Sequence, residues 1–286
     1  MEVRMARNGD VRLAYETFGT AGGEPLLLIM GLDFQMVWWP DGFCRALADH
    51  GFHVARFDNR DTGLSTHFRS AGKTPYTTYD MVEDGIAVMT DLGWGSAHVV
   101  GGSLGGAIAV ATAIVRPERV RTLVAMMTSP TRPLDILRYL KIGILLRFTR
   151  VRHPATDEGA VETLVDIARL LSSPEHPFDE EWARRTAELS HARAPRDLGT
   201  TRRQMAAGRA ASDLARRTGE ITAPTLVING ADDPLIRPSG AAALARRIPG
   251  ARSMVYPGMG HTVPEHLWPA LVDTIAEHAA AKTRLR

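Results

Sequence analysis

The sequence predicts an α/β fold: a mostly parallel, eight-stranded sheet flanked by helices and interrupted by an all-helical insertion. Three observations carry this prediction. Apolar, strand-like runs alternate with amphipathic, helix-like stretches from residue 25 to residue 127, the pattern of a parallel sheet covered on both faces. Between 131 and 217 the strands stop and only helical patterns remain, broken by prolines. At residue 223 the alternation returns and continues to the end. The expected organisation is therefore a core of residues 1–130 and 218–286, with residues 131–217 as a helical cap, or lid, over the active end of the sheet.

Taken in order, residues 3–7 and Val11–Phe18, joined by Asn8-Gly9-Asp10, read as an opening hairpin because the second run alternates apolar and polar residues. Pro25-Leu26-Leu27-Leu28-Ile29-Met30 is continuously apolar, as a strand buried on both faces must be. A helix is expected over Asp41–Asp49, where Phe43, Ala46 and Leu47 share a face, then a strand over 53–57 and a helix over 79–92. Residues 97–100 form a strand, 104–115 a helix and 120–127 a further strand. Within the insertion, helical spacing marks 134–148, 160–171, 179–191 and 200–217. Residues 223–229 are the next strand, followed by a helix over 238–246, a strand over 251–256 and a last helix over 264–281. The terminal residues 282–286 are expected to fray.

Bulk properties narrow the function classes. The chain has 286 residues, 44% hydrophobic and 23% charged, enough for a large core. A net charge of +2 gives no argument for nucleic acid or an anionic membrane surface. The pI of about 8.9 reflects arginines spread along the chain. The insertion holds 16 Lys+Arg against 12 Asp+Glu, slightly basic but mixed. The single cysteine, Cys44, excludes an intrachain disulfide and reads as a small buried hydrophobe. No stretch is long and apolar enough for a membrane span, and the first residues carry no apolar signal region, so the cytoplasm is the expected location. There is no H-E-x-x-H or Cys/His cluster, so no metal site is expected.

The chemistry concentrates at Gly101-Gly102-Ser103-Leu104-Gly105. This G-x-S-x-G run sits between an apolar strand and a small-residue helix, the context of a nucleophile elbow. A serine hydroxyl is a poor nucleophile at neutral pH and needs an adjacent base, itself oriented by an acid. An acid stands just past the strand at 223–229, where Asp232 and Asp233 both qualify. A histidine, His261, stands in a glycine-flanked loop just past the last strand. The three positions follow one another as serine, acid, histidine, each at the C-terminal end of a predicted strand, where open α/β sheets place their ligands. The other nine histidines lack that placement.

With these residues in view, the chain resembles the α/β-hydrolase superfamily over essentially its whole length. Leu28-Ile29-Met30-Gly31, Trp39-Pro40-Asp41-Gly42-Phe43, the loop from Phe57 to Thr66 and Pro257-Gly258-Met259-Gly260-His261 resemble more closely the aclacinomycin methylesterase group and its actinobacterial carboxylesterase relatives. The resemblance implies an ester hydrolase with a Ser103–Asp233–His261 triad. Asp233 is preferred because the family pattern after that strand is G-x-x-D-P, which Gly230-Ala231-Asp232-Asp233-Pro234 matches. It implies an oxyanion hole from the backbone N–H groups of Leu32 and Leu104. Many relatives have His-Gly-x where this chain has Met30-Gly31-Leu32, a departure that main-chain donors tolerate. Asp61 replaces a glycine common in the D-x-R-G-x-G-x-S loop, and Asp58, Arg60 and Asp61 are expected to brace that loop.

Gly31, Phe34, Trp38, Trp39, Leu137, Leu140 and Trp182 are the candidate substrate-binding residues, and they suit an apolar or aromatic small-molecule ester. Several same-fold alternatives stay open: perhydrolase, C–C hydrolase, lactonase and proline iminopeptidase, the last requiring cap carboxylates at the site, for which Glu158, Glu162, Glu175, Glu180 and Glu181 are available. A ligand-binding receptor built on the same scaffold is the alternative of another class. The substrate and the oligomeric state are not legible.

Overall fold

The computed structural model describes residues 2–68 and 75–281; the tail at 282–286, expected to fray, lies outside the described residues. Strands β1 (Arg4–Asn8) and β2 (Val11–Phe18) form the antiparallel hairpin, and β2 pairs antiparallel with β4 (Phe52–Phe57). From there the sheet is parallel through β3 (Glu24–Ile29), β5 (Ala97–Gly102), β6 (Val120–Met126), β7 (Thr225–Gly230) and β8 (Arg252–Tyr256). The spatial order is β1-β2-β4-β3-β5-β6-β7-β8, eight strands in one sheet.

The period-two geometry of the strands sorts their apolar residues onto two faces. Leu26, Leu28, Val54, Val100 and Val124 pack with Phe43 and Leu47 of α1 (Asp41–Asp49) and Leu271 and Ile275 of α10 (Trp268–Ala281). Leu27, Ile29, Phe57, Val99 and Leu123 face the other way. They pack against α2 (Thr78–Asp91), α3 (Leu104–Val115) and α9 (Pro238–Ala245). Cys44 is fully buried among the first group, and burial pushes its thiol up to about 12, so it stays protonated and unreactive.

Between β6 and β7 lie α4 (Pro133–Tyr139), α5 (Ile142–Phe148), α6 (Asp157–Leu171), α7 (Glu180–Arg193) and α8 (Leu198–Ala210). A third apolar cluster joins them to the core: Val161, Leu164, Val165 and Ala168 of α6 and Ala183 and Ala187 of α7 pack on Met36, Val37 and Trp38. Within the insertion, two expected helices are shorter or divided. The helix expected over 134–148 breaks at Leu140 and Lys141, because Leu140 bridges to Ile236 and the Lys141 N–H donates to the Leu235 carbonyl. Those bonds to a distant segment override a continuous local helix pattern. The helix expected over 200–217 ends at Ala210 and gives way to 3₁₀ turns at Leu214–Arg216 and Thr218–Glu220.

Candidate active site

Ser103 stands between β5 and α3 with φ 55° and ψ −116°, a conformation that a side chain rarely adopts. Two glycines make this turn possible. A Cβ on Gly101 would lie 2.1 Å from the Gly105 carbonyl oxygen, and one on Gly105 would lie 2.1 Å from the Ile29 carbonyl oxygen. The turn is locked by the Ser103 N–H donating to the Met126 carbonyl at 2.9 Å.

Asp233 follows β7 and is fully buried. Its Oδ1 accepts from the backbone N–H groups of Leu235 and Ile236, both at 2.8 Å, while Oδ2 lies 2.8 Å from His261 Nδ1. Asp232 serves the loop instead. Its Oδ2 accepts from the Gly258 N–H and the Ser173 hydroxyl, tying the loop after β8 to the segment after α6. That loop is held further by the His261 N–H, which donates to the Leu171 carbonyl at 2.7 Å. A Cβ at Gly260 would lie 2.4 Å from the Ser173 nitrogen, so only glycine lets the two segments meet. His261 is 8% exposed, and its second ring nitrogen, Nε2, is buried with no hydrogen-bond partner.

Ser103 and His261 line one cavity of about 610 Å³, together with Met30, Gly31 and Leu32. A Cβ on Gly31 would lie 3.2 Å from Ser103 Cβ, so glycine lets the loop after β3 pass directly over the serine. The Leu104 N–H belongs to the first turn of α3 and has no acceptor within the helix. The Met30 carbonyl accepts from Asn59 Nδ2, and Asp33, in the left-handed region with φ 65°, ends the turn that carries Leu32.

Of the expected pocket residues, Gly31, Phe34, Trp38, Trp39, Leu140 and Trp182 line the cavity. Phe34, Trp38 and Trp182 stand edge to face, at 4.9 and 5.6 Å between ring centroids, and so join the loop after β3 to α7. Leu137 is a correction. It is 65% exposed and does not line the cavity. The inward positions of α4 are Asp135 and Tyr139, four residues apart, and Leu137 lies about 200° around the helix from each. None of Glu158, Glu162, Glu175, Glu180 and Glu181, the cap carboxylates available to an iminopeptidase, lines the cavity.

Sequence reasoning missed the polar bridges from the insertion to the floor of the site. Gln204 of α8 is fully buried; its Oε1 accepts from the Asp33 N–H at 2.9 Å and its Nε2 donates to the Arg60 carbonyl at 3.1 Å. Arg196 and Thr201 both donate to Asp33 Oδ2, and burial still raises that carboxyl above its usual range. Arg193 donates to Asp58 Oδ2 at 2.5 Å, and Arg203 to Asp61 Oδ2 at 2.8 Å. Asp58 also accepts from the Met36 and Leu64 N–H groups, while Arg60 is clamped by Asp84 at 2.6 and 2.7 Å. These three charged residues thus brace the loop they belong to. Asp61 has φ 71°, which is why glycine suits its position. The sequence shows only the charged character of these residues; the partners that the insertion supplies to Asp33, Asp58 and Asp61 lie more than a hundred residues away.

Among the described residues, no group of three or more His, Cys, Asp or Glu is arranged to hold a metal ion, and no helix is long and apolar enough to cross a membrane. The sequence model of the family described as alpha/beta hydrolase fold matches residues 24–265. The chain is 33% identical to rhodomycin D methylesterase DauP of Streptomyces sp. (strain C5), covering 99% of this chain and 100% of that protein. It is 31% identical to the putative carbamate hydrolase RutD of Caulobacter segnis, covering 88% and 91%. Among solved structures, a hydrolase from Pseudomonas aeruginosa PA01 superposes with a TM-score of 0.73 at 25% identity, covering 96% of this chain and 97% of that one.

Proposed function

The chain belongs to the alpha/beta hydrolase fold family, and from that premise we propose that it is a serine hydrolase of carboxylic esters. Ser103 is the nucleophile, His261 the general base and acid, and Asp233 the residue that orients the histidine. The observation that carries this reading is His261: one ring nitrogen is fixed 2.8 Å from a buried carboxylate, and the other is buried, unpaired and in the same cavity wall as the serine. With Nδ1–H donating to Asp233, Nε2 carries the free lone pair that a serine proton needs.

In the proposed sequence, Ser103 Oγ attacks the ester carbonyl carbon as its proton passes to His261 Nε2. The carbonyl oxygen takes the negative charge and accepts from the Leu32 and Leu104 N–H groups, which are fixed before the reaction begins. Collapse of this intermediate breaks the bond to the alkoxy oxygen, which leaves as an alcohol with the proton from His261. Water then adds to the acyl-serine by the same route and releases the acid. The scheme uses no cofactor.

Residues 131–217 act as the cap that closes the cavity over a core of residues 1–130 and 218–286. The apolar, aromatic-walled cavity suits the ester of a bulky, ring-bearing acid, and similarity to rhodomycin D methylesterases supports a small leaving alcohol such as methanol. The test is Ser103→Ala. Turnover of p-nitrophenyl esters and labelling by a fluorophosphonate probe are expected to disappear while the unfolding temperature holds. A variant retaining near-wild-type turnover would refute the mechanism. Rapid labelling without turnover across an ester panel would favour a receptor instead.

A further inference from the structure

The whole-chain charge of +2 conceals a local concentration. Residues 132–152 carry six Lys/Arg and a single acid, Asp135, whereas residues 153–217 carry ten Lys/Arg and eleven Asp/Glu. Asp135 is buried and held by both guanidinium nitrogens of Arg247, so it offers nothing outward. Arg132, Arg138, Arg147, Arg150 and Arg152 are exposed and take part in no ion pair among the described residues.

The same stretch exposes aliphatic side chains. Leu134 is 80% exposed and Leu146 60%, and Ile136, Leu137, Ile142 and Leu145 are also open. Among the described side chains of α4 and α5, Asp135, Tyr139 and Ile144 are the buried ones. An isolated exposed leucine needs no explanation, but six aliphatic side chains on two consecutive short helices do.

We propose that α4 and α5 form a docking face for an anionic lipid surface. Aliphatic side chains beside unpaired arginines are the combination that holds a helix in a lipid headgroup layer: the first bury in the acyl boundary, the second meet phosphate. A second copy of the chain is the poorer occupant, because a two-fold contact would press two cationic faces together. Position also favours lipid. Leu140, Leu145, Phe148 and Val151 of this same segment line the cavity, so an apolar molecule dissolved in the acyl layer meets the cavity through the docking face. The face is joined to the site by Lys141, whose Nζ donates to the Asp233 carbonyl at 2.6 Å.

The test is cosedimentation of the full chain with vesicles of phosphatidylcholine alone and of equal parts phosphatidylcholine and phosphatidylglycerol. Partitioning at least tenfold stronger onto the anionic vesicles is expected, weakening as salt is raised. At about fivefold for each cationic side chain near the surface, Arg147→Gln with Arg150→Gln lowers partitioning about 25-fold. Leu134→Ser with Leu146→Ser lowers it at least tenfold even at low salt. Both double variants keep the wild-type unfolding temperature, and the salt dependence of the wild-type chain supplies a readout that needs no variant. Ser103→Ala partitions like the wild type, which separates this test from that of the reaction. Equal partitioning onto both vesicle types, or none onto either, overturns the proposal. So does a dimer in light scattering that Leu134→Ser with Leu146→Ser dissolves while vesicles go unbound.

Discussion

Gln204 offers a test of how the insertion governs the reaction. Its buried amide bonds two core loops at once, taking the Asp33 N–H and giving to the Arg60 carbonyl. Replacement by leucine keeps the volume and leaves both backbone groups, one buried and one half-buried, without that partner. At about 1–3 kcal/mol for each, the folded state loses about 2–6 kcal/mol. A merely structural role ends there. If the glutamine also sets the turn that carries Leu32, the variant loses part of one oxyanion donor, whose complete removal costs about 10²–10³ in kcat. The expected loss is about 10–100-fold in kcat with KM within about threefold, because the donor acts on charge that develops only in the transition state. Gln204→Glu keeps an oxygen to accept from the Asp33 N–H, so kcat returns to within about tenfold of wild type. The assay is steady-state hydrolysis of a p-nitrophenyl ester alongside thermal unfolding. A leucine variant that unfolds earlier yet turns over at the wild-type kcat refutes the positioning argument.

Three further outcomes rest on other contacts of the fold. Arg193→Leu strands the fully buried Asp58, at a cost of about 3–5 kcal/mol by chemical denaturation, and adding Asp58→Asn recovers most of it. Burial holds the His278 imidazole below its usual range, with Nε2 3.1 Å from the Pro224 carbonyl. The unfolded chain therefore takes up that proton near pH about 6.5 while the folded chain does not, so stability is full above this pH and falls as the pH drops towards the folded value; in His278→Gln the acid-side loss, read by denaturant midpoint, is smaller. Trp182→Ala removes the edge contact with Trp38 and opens the cavity wall, so KM for a bulky aromatic ester rises at least fivefold while kcat/KM for p-nitrophenyl acetate stays within about twofold.

What was legible in the sequence divides by the distance over which it is specified. The strands and the elbow are written locally. Leu26 to Ile29 alternate onto two faces because the strand period is two, and Gly101 and Gly105 are required by backbone atoms a few residues away in space and, for Gly101, in sequence. The order of Ser103, Asp233 and His261 could be read because each lies in the segment that follows a strand, and strand ends share one edge of a parallel sheet. The walls of the cavity are another matter. Whether Leu137 or Leu140 turns inward depends on the break at Lys141, and that break is imposed by a bridge to Ile236, nearly a hundred residues on. Gln204, one polar residue among many on a weakly amphipathic helix, has nothing in its neighbours to mark it; its two partners lie 171 and 144 residues away. Averages conceal as much as distances do. The arginines of residues 132–152 vanish into a mixed charge over the whole insertion, because most of the acids that offset them sit on α6 and α7, where Glu162 and Glu180 pair with Arg184 and Arg169. Short motifs therefore mark the candidate site, whereas its enclosure arises from pairings that only the folded chain brings together.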